Sequence, residues 1–172
     1  MKKLLTIIGL TTSMAIFVNN AKAQKISVGA NFGFLKPSNV EGHMGIMLQA
    51  KYSLNDNMRL GINLGYYFKS YSLGESSIKS ILSPYTATFE YLFSTEGFKP
   101  YAGLDLGVYR WVVSGEGLAI GASNFGVAPT LGTDYDISEK FGINANFKYN
   151  YIMTQGASTG AISFNAGIYI KF

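Results

Sequence analysis

Residues 162–172 read ISFNAGIYIKF, and their side chains alternate between two kinds. Every second residue is apolar: Ile162, Phe164, Ala166, Ile168, Ile170 and Phe172. The residues between them are Ser, Asn, Gly, Tyr and Lys. Because successive side chains of a β-strand point to opposite faces of a sheet, this segment is predicted to be a strand with one apolar and one mainly polar face.

The same alternation occurs in seven earlier segments of the chain. Their apolar faces begin at Ile26, Ile46, Leu60, Tyr85, Ala102, Phe125 and Phe141. Short polar turns are predicted at residues 54–57, 94–97 and 136–139, and longer Gly- and Ser-containing segments at 36–42, 70–77, 114–123 and 154–159. An even number of strands, with short turns at one end and longer connections at the other, is typical of transmembrane β-barrels.

The polar face distinguishes a membrane barrel from a soluble one, since a period of two fits both. That face is rich in Gly, with Asn, Thr and a few charges. Small residues suit the interior of a narrow eight-stranded barrel, whereas the outside of a soluble barrel would be rich in Lys and Glu. The apolar face carries Tyr and Phe towards several strand ends, as an aromatic girdle does. The sequence therefore predicts an all-β fold, an eight-stranded antiparallel transmembrane β-barrel.

Residues 1–23 have the pattern of a cleaved signal peptide. Lys2 and Lys3 precede an apolar stretch at 4–18, and the small-x-small triplet at 21–23 follows. An uncleaved anchor is the alternative, but its apolar run would be short and broken by polar residues. Cleavage removes three lysines and no acid, so the formal net charge of +4 falls to +1 for a barrel of residues 24–172. We therefore expect no binding to nucleic acid.

Composition limits the chemistry of the chain. It has no Cys and one His, which excludes disulfides, thiolate nucleophiles and metal sites built from several histidines. We expect no metal, no cofactor and no catalytic residue. His43 is the only imidazole, and the stretch His43-Met44-Gly45 does not match the His-x-Ser pattern of certain outer-membrane lipid A deacylases.

Seven of the charged residues on the predicted inward face are candidates for ion pairs inside the barrel. They are Lys51, Arg59, Lys69, Glu90, Asp105, Asp134 and Lys148. Charges away from bulk water need partners. We expect Arg59 near Glu90, and Lys148 near Asp105 or Asp134 if the strand registers agree. The set indicates either a salt-bridged polar plug or a narrow, charge-selective water path.

Two prolines test the strand assignment. Pro84 falls at the outer start of the fourth predicted strand, where the missing N–H is easily tolerated. Pro129 falls in the middle of the sixth, where a closed barrel needs that donor. A β-bulge at Pro129 is predicted, and a shifted register of the sixth strand is the alternative.

Three motifs give the chain a resemblance to the small outer-membrane β-barrel proteins of the OmpA/OmpX-like family. They are KPYAGLDLG at 99–107, GTDYDISEKFGINANFKYNY at 132–151, and a C-terminal pattern formed by Asn165, Gly167, Ile170 and Phe172. The resemblance implies a location in the outer membrane, surrounded by its lipid, in a Gram-negative cell envelope. It also implies insertion by the barrel-assembly machinery, with the C-terminal pattern as the signal that this machinery reads.

A fold of this kind does not determine a function. The first hypothesis is a structural protein whose outer segments, residues 70–82 and 112–124, contact an extracellular partner. The alternative is a narrow porin-like channel for small solutes or ions. A lipid-modifying membrane enzyme is the third and least supported reading.

Overall fold

The computed structural model describes residues 25–38, 40–73, 76–115, 118–154 and 156–172. The predicted signal peptide at residues 1–23 lies outside the described residues. Within these ranges, no helix is long and apolar enough to cross a membrane.

Eight β-strands form one closed sheet. They are β1 (Ile26–Pro37), β2 (His43–Ser53), β3 (Met58–Leu73), β4 (Ser76–Leu92), β5 (Phe98–Gly115), β6 (Leu118–Asp136), β7 (Phe141–Thr154) and β8 (Ala157–Lys171). Each strand pairs antiparallel with the next, and β8 pairs antiparallel with β1. The predicted eight-stranded antiparallel barrel is confirmed.

The alternating sequence sorts side chains between the inside and the outside of the barrel. The apolar residues of residues 162–172 point outward and are exposed on the outer wall, as are those of the other strands. The residues between them point inward and are mostly buried, including Asn165. This inverts the pattern of a soluble protein and gives an apolar outer surface suited to lipid.

Four strands are longer than the sequence pattern predicts. β3 and β4 have 16 and 17 residues and β5 and β6 have 18 and 19, against 12 and 11 for β1 and β2. Most of segments 70–77 and 114–123 is therefore strand, and Pro84 lies inside β4 rather than at its start. The Ser- and Gly-rich composition of these segments indicated loops. In the structure, the two strands of each hairpin stay paired beyond the residues that face lipid.

The prediction of a bulge at Pro129 is wrong. The β6–β7 register is the same on both sides of the proline, as the pairs Val127↔Tyr151 and Thr130↔Lys148 show. Pairing with β7 lapses over residues 128 and 129, while Pro129 stays paired with Leu104 of β5. The barrel therefore accommodates the missing N–H by omitting one short piece of a ladder and keeping the register.

Some inward glycines let neighbouring strands approach closely. At Gly45 an added Cβ would lie 1.9 Å from the backbone oxygen of Tyr66 and 2.6 Å from the Cα of Tyr67. Both obstacles are backbone atoms of β3, so they cannot rotate away. Gly115, near the tip of the β5–β6 hairpin, has more room, because the nearest atom to its Cβ would be a side-chain carbon of Ile78 at 3.3 Å.

Gly45→Ala is therefore expected to lower the free energy of unfolding by about 1–3 kcal/mol, the usual cost of overpacking. Gly115→Ala is the matched control and should change it little. Urea unfolding of the refolded barrel in detergent micelles, followed by the fluorescence of the single Trp, measures both. Equal stability of the two variants would contradict the close approach of β2 and β3.

Candidate functional site

A network of ion pairs fills the lumen near the end where the short turns lie, called here the turn end. Arg59 bridges Glu90 and Asp134, and the Nζ of Lys51 lies 3.0 Å from Oε1 of Glu90. The Tyr101 ring lies beneath the two cations, with its centroid 4.9 Å from the Lys51 Nζ and 4.7 Å from the Arg59 Cζ. All four charged side chains are buried. The network therefore joins two cations and two anions from four strands.

A second network lies farther into the lumen around Asp105. The Nζ of Lys148 donates to Oδ2 of Asp105 at 2.6 Å, and the Nδ2 of Asn63 donates to the same oxygen at 3.0 Å. The hydroxyls of Thr86 and Thr130 complete the set at 3.3 and 3.4 Å. The residue is 1% exposed, so the lumen satisfies this carboxylate entirely with its own side chains.

Lys69 is the one candidate whose ion pair lies outside the closed lumen. Its Nζ is 3.1 Å from Oε2 of Glu41, and the two side chains are 39% and 66% exposed. The predicted lumen location is wrong for this residue, because Lys69, although on the inward face of β3, lies past the level at which the barrel interior is closed.

An apolar layer closes the lumen towards the opposite end, called here the hairpin end. Its members are Leu35, Tyr67, Leu82, Tyr109, Ile152 and Ala161, and Trp111 packs against them. We call this layer the apolar plug. Tyr67 and Tyr109 also donate hydrogen bonds to Asn165 and Asn150, at 2.5 and 2.9 Å. The cavity beside the plug measures about 10 Å³, which leaves room for at most one water molecule.

Sequence reasoning missed the plug, although a signal was present. Leu35, Leu82 and Ile152 stand on the otherwise polar inward face, near the hairpin end of their strands. Apolar residues on the wrong face of an alternating strand indicate packing inside the barrel.

A hydrogen-bonded cluster around His43 lies beside the plug. Its Nε2 is 2.8 Å from the Ser80 Oγ, its Nδ1 is 3.0 Å from the Glu41 backbone oxygen, and the Nε1–H of Trp111 donates to Ser80 at 2.9 Å. A Ser within reach of a His is one requirement for a nucleophile. Here His43 is 0% and Ser80 3% exposed, so no substrate can reach the hydroxyl. The geometry instead ties β2, β4 and β5 together.

The lumen opens at the turn end into a polar cavity of about 310 Å³. At its rim Asp136 accepts from Lys99 at 2.5 Å, Lys171 at 2.9 Å and the Tyr169 hydroxyl at 2.5 Å. Arg59 and Asp134 also line it. The cavity is thus a blind vestibule that ends at the buried ion pairs. Within the described residues, no group of three or more His, Cys, Asp or Glu could hold a metal ion.

The long hairpins form a second surface, which begins at the level of the plug and extends beyond it. The outer parts of β3, β4, β5 and β6 pair with one another, whereas the pairing of β3 with β2 ends at Phe68 and that of β6 with β7 ends at Phe125. We call residues 69–73, 76–82, 110–115 and 118–124 the projecting sheet. Leu118 and Ile120 in it are 66% and 69% exposed.

Residues 8–172 match the family model of the outer membrane protein beta-barrel domain. The chain belongs to this family. It is an integral protein of the outer membrane, so its turn end faces the periplasm and its hairpin end faces the exterior. The family resemblance noted from the sequence is confirmed.

Solved structures of other outer-membrane barrels share the fold. Neisserial surface protein A has 23% identity and a TM-score of 0.71, over 86% of this chain and 97% of that one. Ail of Yersinia pestis, in complex with the heparin analogue sucrose octasulfate, has 16% identity and a TM-score of 0.62, over 86% and 97%. The N-terminal barrel of Pseudomonas aeruginosa OprF has 18% identity and a TM-score of 0.60, over 85% of this chain and 97% of that one. At these identities the likeness concerns the fold. No curated protein sequence matches the chain.

Lys148→Met is expected to lower the free energy of unfolding by about 3–5 kcal/mol, because it leaves the Asp105 carboxylate buried without its cation. Adding Asp105→Asn should restore most of the loss. Urea unfolding of the refolded barrel measures the three proteins. A double variant as unstable as Lys148→Met alone would mean that packing of the lysine stem, rather than its charge, stabilises the lumen.

The apolar plug should prevent conduction. Pure refolded protein in planar bilayers is expected to give no steady current, whereas Tyr67→Ala combined with Tyr109→Ala should raise conductance by removing the two largest plug side chains. The control removes two outward tyrosines, Tyr66→Ala and Tyr85→Ala, and should stay silent. A steady, salt-dependent wild-type current would contradict closure of the lumen.

Proposed function

We propose that the protein is a non-enzymatic surface-interaction protein of the outer membrane. The barrel serves as the anchor, and the projecting sheet binds an extended segment of an extracellular partner. The observation that carries the proposal is the free outer edge of β6. Its residues 118–124 pair with β5 alone among the described strands.

A channel function is less well supported by the interior. The ion pairs around Arg59 and Asp105 occupy the lower and middle lumen, and the apolar plug lies between them and the exterior. Eight strands leave an interior just wide enough for side chains. Functional contacts are therefore expected on the outer surface rather than through the lumen.

The free edge has the chemistry that strand addition requires. Its unpaired backbone N–H and C=O groups can form a ladder with an incoming strand, and side-chain positions on both faces are exposed. No charged residue occurs in the segment LAIGASN at 118–124. We therefore expect an uncharged, β-prone partner segment, since no side chain on the edge could pair with a charge.

Two copies of this chain are poor partners for each other along this edge. Barrels in one membrane share their orientation, so a two-fold axis along the membrane normal would bring the two β6 edges together in parallel. In a parallel ladder, a residue that forms hydrogen bonds across the interface lies opposite a residue that forms none. A two-fold axis along the strands would place identical residues opposite each other, so the two β6 edges cannot form such a ladder. A foreign segment is therefore favoured over a second copy of this chain.

The C-terminal pattern of Asn165, Gly167, Ile170 and Phe172 is proposed as the signal for the barrel-assembly machinery. Ile170 and Phe172 point outward and are about half exposed. The backbone N–H of Phe172 donates to the Ile26 oxygen at 2.8 Å, so this segment also closes the barrel. The barrel-assembly machinery would bind this edge of β8 before β8 pairs with β1 and the barrel closes.

Binding of uncharged β-prone peptides to the barrel in nanodiscs tests the edge. Each peptide is paired with a version that has a central Pro, which cannot form the ladder. Binding should be lost with the Pro versions and weakened by Ile120→Lys, which places a charge on the edge strand. Val113→Lys is the matched control, because Val113 lies directly opposite Ile120 on a strand that is paired on both sides. Binding that is insensitive to the peptide proline would overturn the proposal.

A further inference from the structure

Two cations lie on the outward face of the projecting sheet. Arg110 of β5 and Lys79 of β4 are exposed on the same face as the lipid-facing residues below them. The Nζ of Lys79 lies 5.8 Å from the ring centroid of Phe68, an outward aromatic residue. Among the described residues, neither cation takes part in an ion pair.

Each cation is flanked by serines on both neighbouring strands. Arg110 is directly opposite Ser83 and Ser123, and Lys79 is directly opposite Ser70 and Ser114. Side chains in such pairs share a face, with Cβ atoms about 5 Å apart. The sheet therefore carries two rows of the form Ser–cation–Ser, four residues apart along the strands. Ser70 and Ser123 are exposed, Ser114 is partly exposed, and Ser83 is buried.

Serine is the feature that separates these rows from ordinary surface salt bridges. A carboxylate at a flanking position would neutralise the cation, whereas a hydroxyl leaves the charge open and adds a hydrogen-bond donor. Arg binds phosphate through two parallel N–H donors, and Lys acts as a point charge. The combination suits phosphate oxygens, which accept several hydrogen bonds at once.

The position of the rows indicates where such phosphate would come from. Below the Arg110 row lie Tyr85, Val108 and Phe125, which belong to the exposed apolar outer wall, and between the two rows lie Phe68, Ile81 and Val112. Apolar side chains that alternate with cations on one surface fit a ligand with both acyl chains and phosphate. A soluble polyanion has no apolar group that could pack against these apolar side chains.

The rest of the outer wall has the same polarity. Within the described strands, the outward face carries no acid, and its third charge, Lys36, also lies at the hairpin end. The acids of the strands all point into the lumen. Electrostatics therefore favours anionic headgroups at the outer end of the barrel and gives no such preference at the periplasmic end.

We propose that Arg110 and Lys79, with their flanking serines, form a binding site for the phosphate groups of an outer-leaflet glycolipid. The site is independent of the free β6 edge, because it uses the outward side chains of β3–β6 rather than unpaired backbone groups. A bound headgroup would hold the base of the projecting sheet against the membrane surface.

The test measures the affinity of fluorescently labelled diphosphoryl lipid A for the refolded full barrel in detergent micelles. Each cation near an anionic lipid surface contributes roughly a fivefold gain in affinity, so Arg110→Ala with Lys79→Ala should weaken binding about 25-fold. Lys25→Ala with Lys140→Ala removes two cations at the periplasmic end and should leave affinity unchanged. Lipid A without phosphates should bind the wild type and the double variant equally.

Two further measurements keep the result interpretable. Heat-modifiable gel mobility confirms that each variant is folded. Ser70→Ala with Ser123→Ala, which removes the two exposed flanking hydroxyls, should weaken binding by a smaller factor without any change in charge. Equal affinity of wild type and the Arg110/Lys79 variant would overturn the site. Inositol hexakisphosphate binding as tightly as the lipid would overturn the assignment to a lipid source.

Discussion

Backbone hydrogen bonding in lipid is the constraint on which the rest of this structure depends. A strand within the hydrocarbon region has no water to satisfy its edge, so the sheet must close on itself. The β1–β8 seam achieves this closure over nearly the full length of both strands, from Ser27↔Lys171 to Pro37↔Ala161. Even Pro84 and Pro129, which lie well inside strands, are tolerated without a change of register, since closure requires every strand to keep its place.

Closure creates a narrow interior that has to be filled. The inward face supplies small residues where strands approach closely, two ion-pair networks in the lower and middle lumen, and an apolar plug towards the exterior. Breaking one buried pair leaves a charge without a partner, so these networks specify the register as well as the packing. Because the lumen is closed towards the exterior, its interior is not available to an extracellular partner, and the outer surface is.

The projecting sheet follows from a difference between the strands. Inside the membrane all eight strands must pair on both sides, but outside it only the hairpins need to hold together. β3–β4 and β5–β6 continue well past β2 and β7, which leaves a free backbone edge on β6 and an outward face with cations between serines. One exposed extension thus offers two surfaces of different chemistry, an edge for strands and a face for phosphate.

The alternation of side chains by itself determined the fold class, the inward and outward faces, and six of the seven charged lumen residues, because a period of two is a local property of a strand. The pairing of Arg59 with Glu90 could also be anticipated from the order of the strands. Only the tertiary structure decided that Lys148 meets Asp105, that Ser80 meets His43, and that Lys69 lies above the plug. The first two are contacts between strands that are not neighbours in the sheet. All three depend on the stagger of the whole closed sheet, which no single segment encodes.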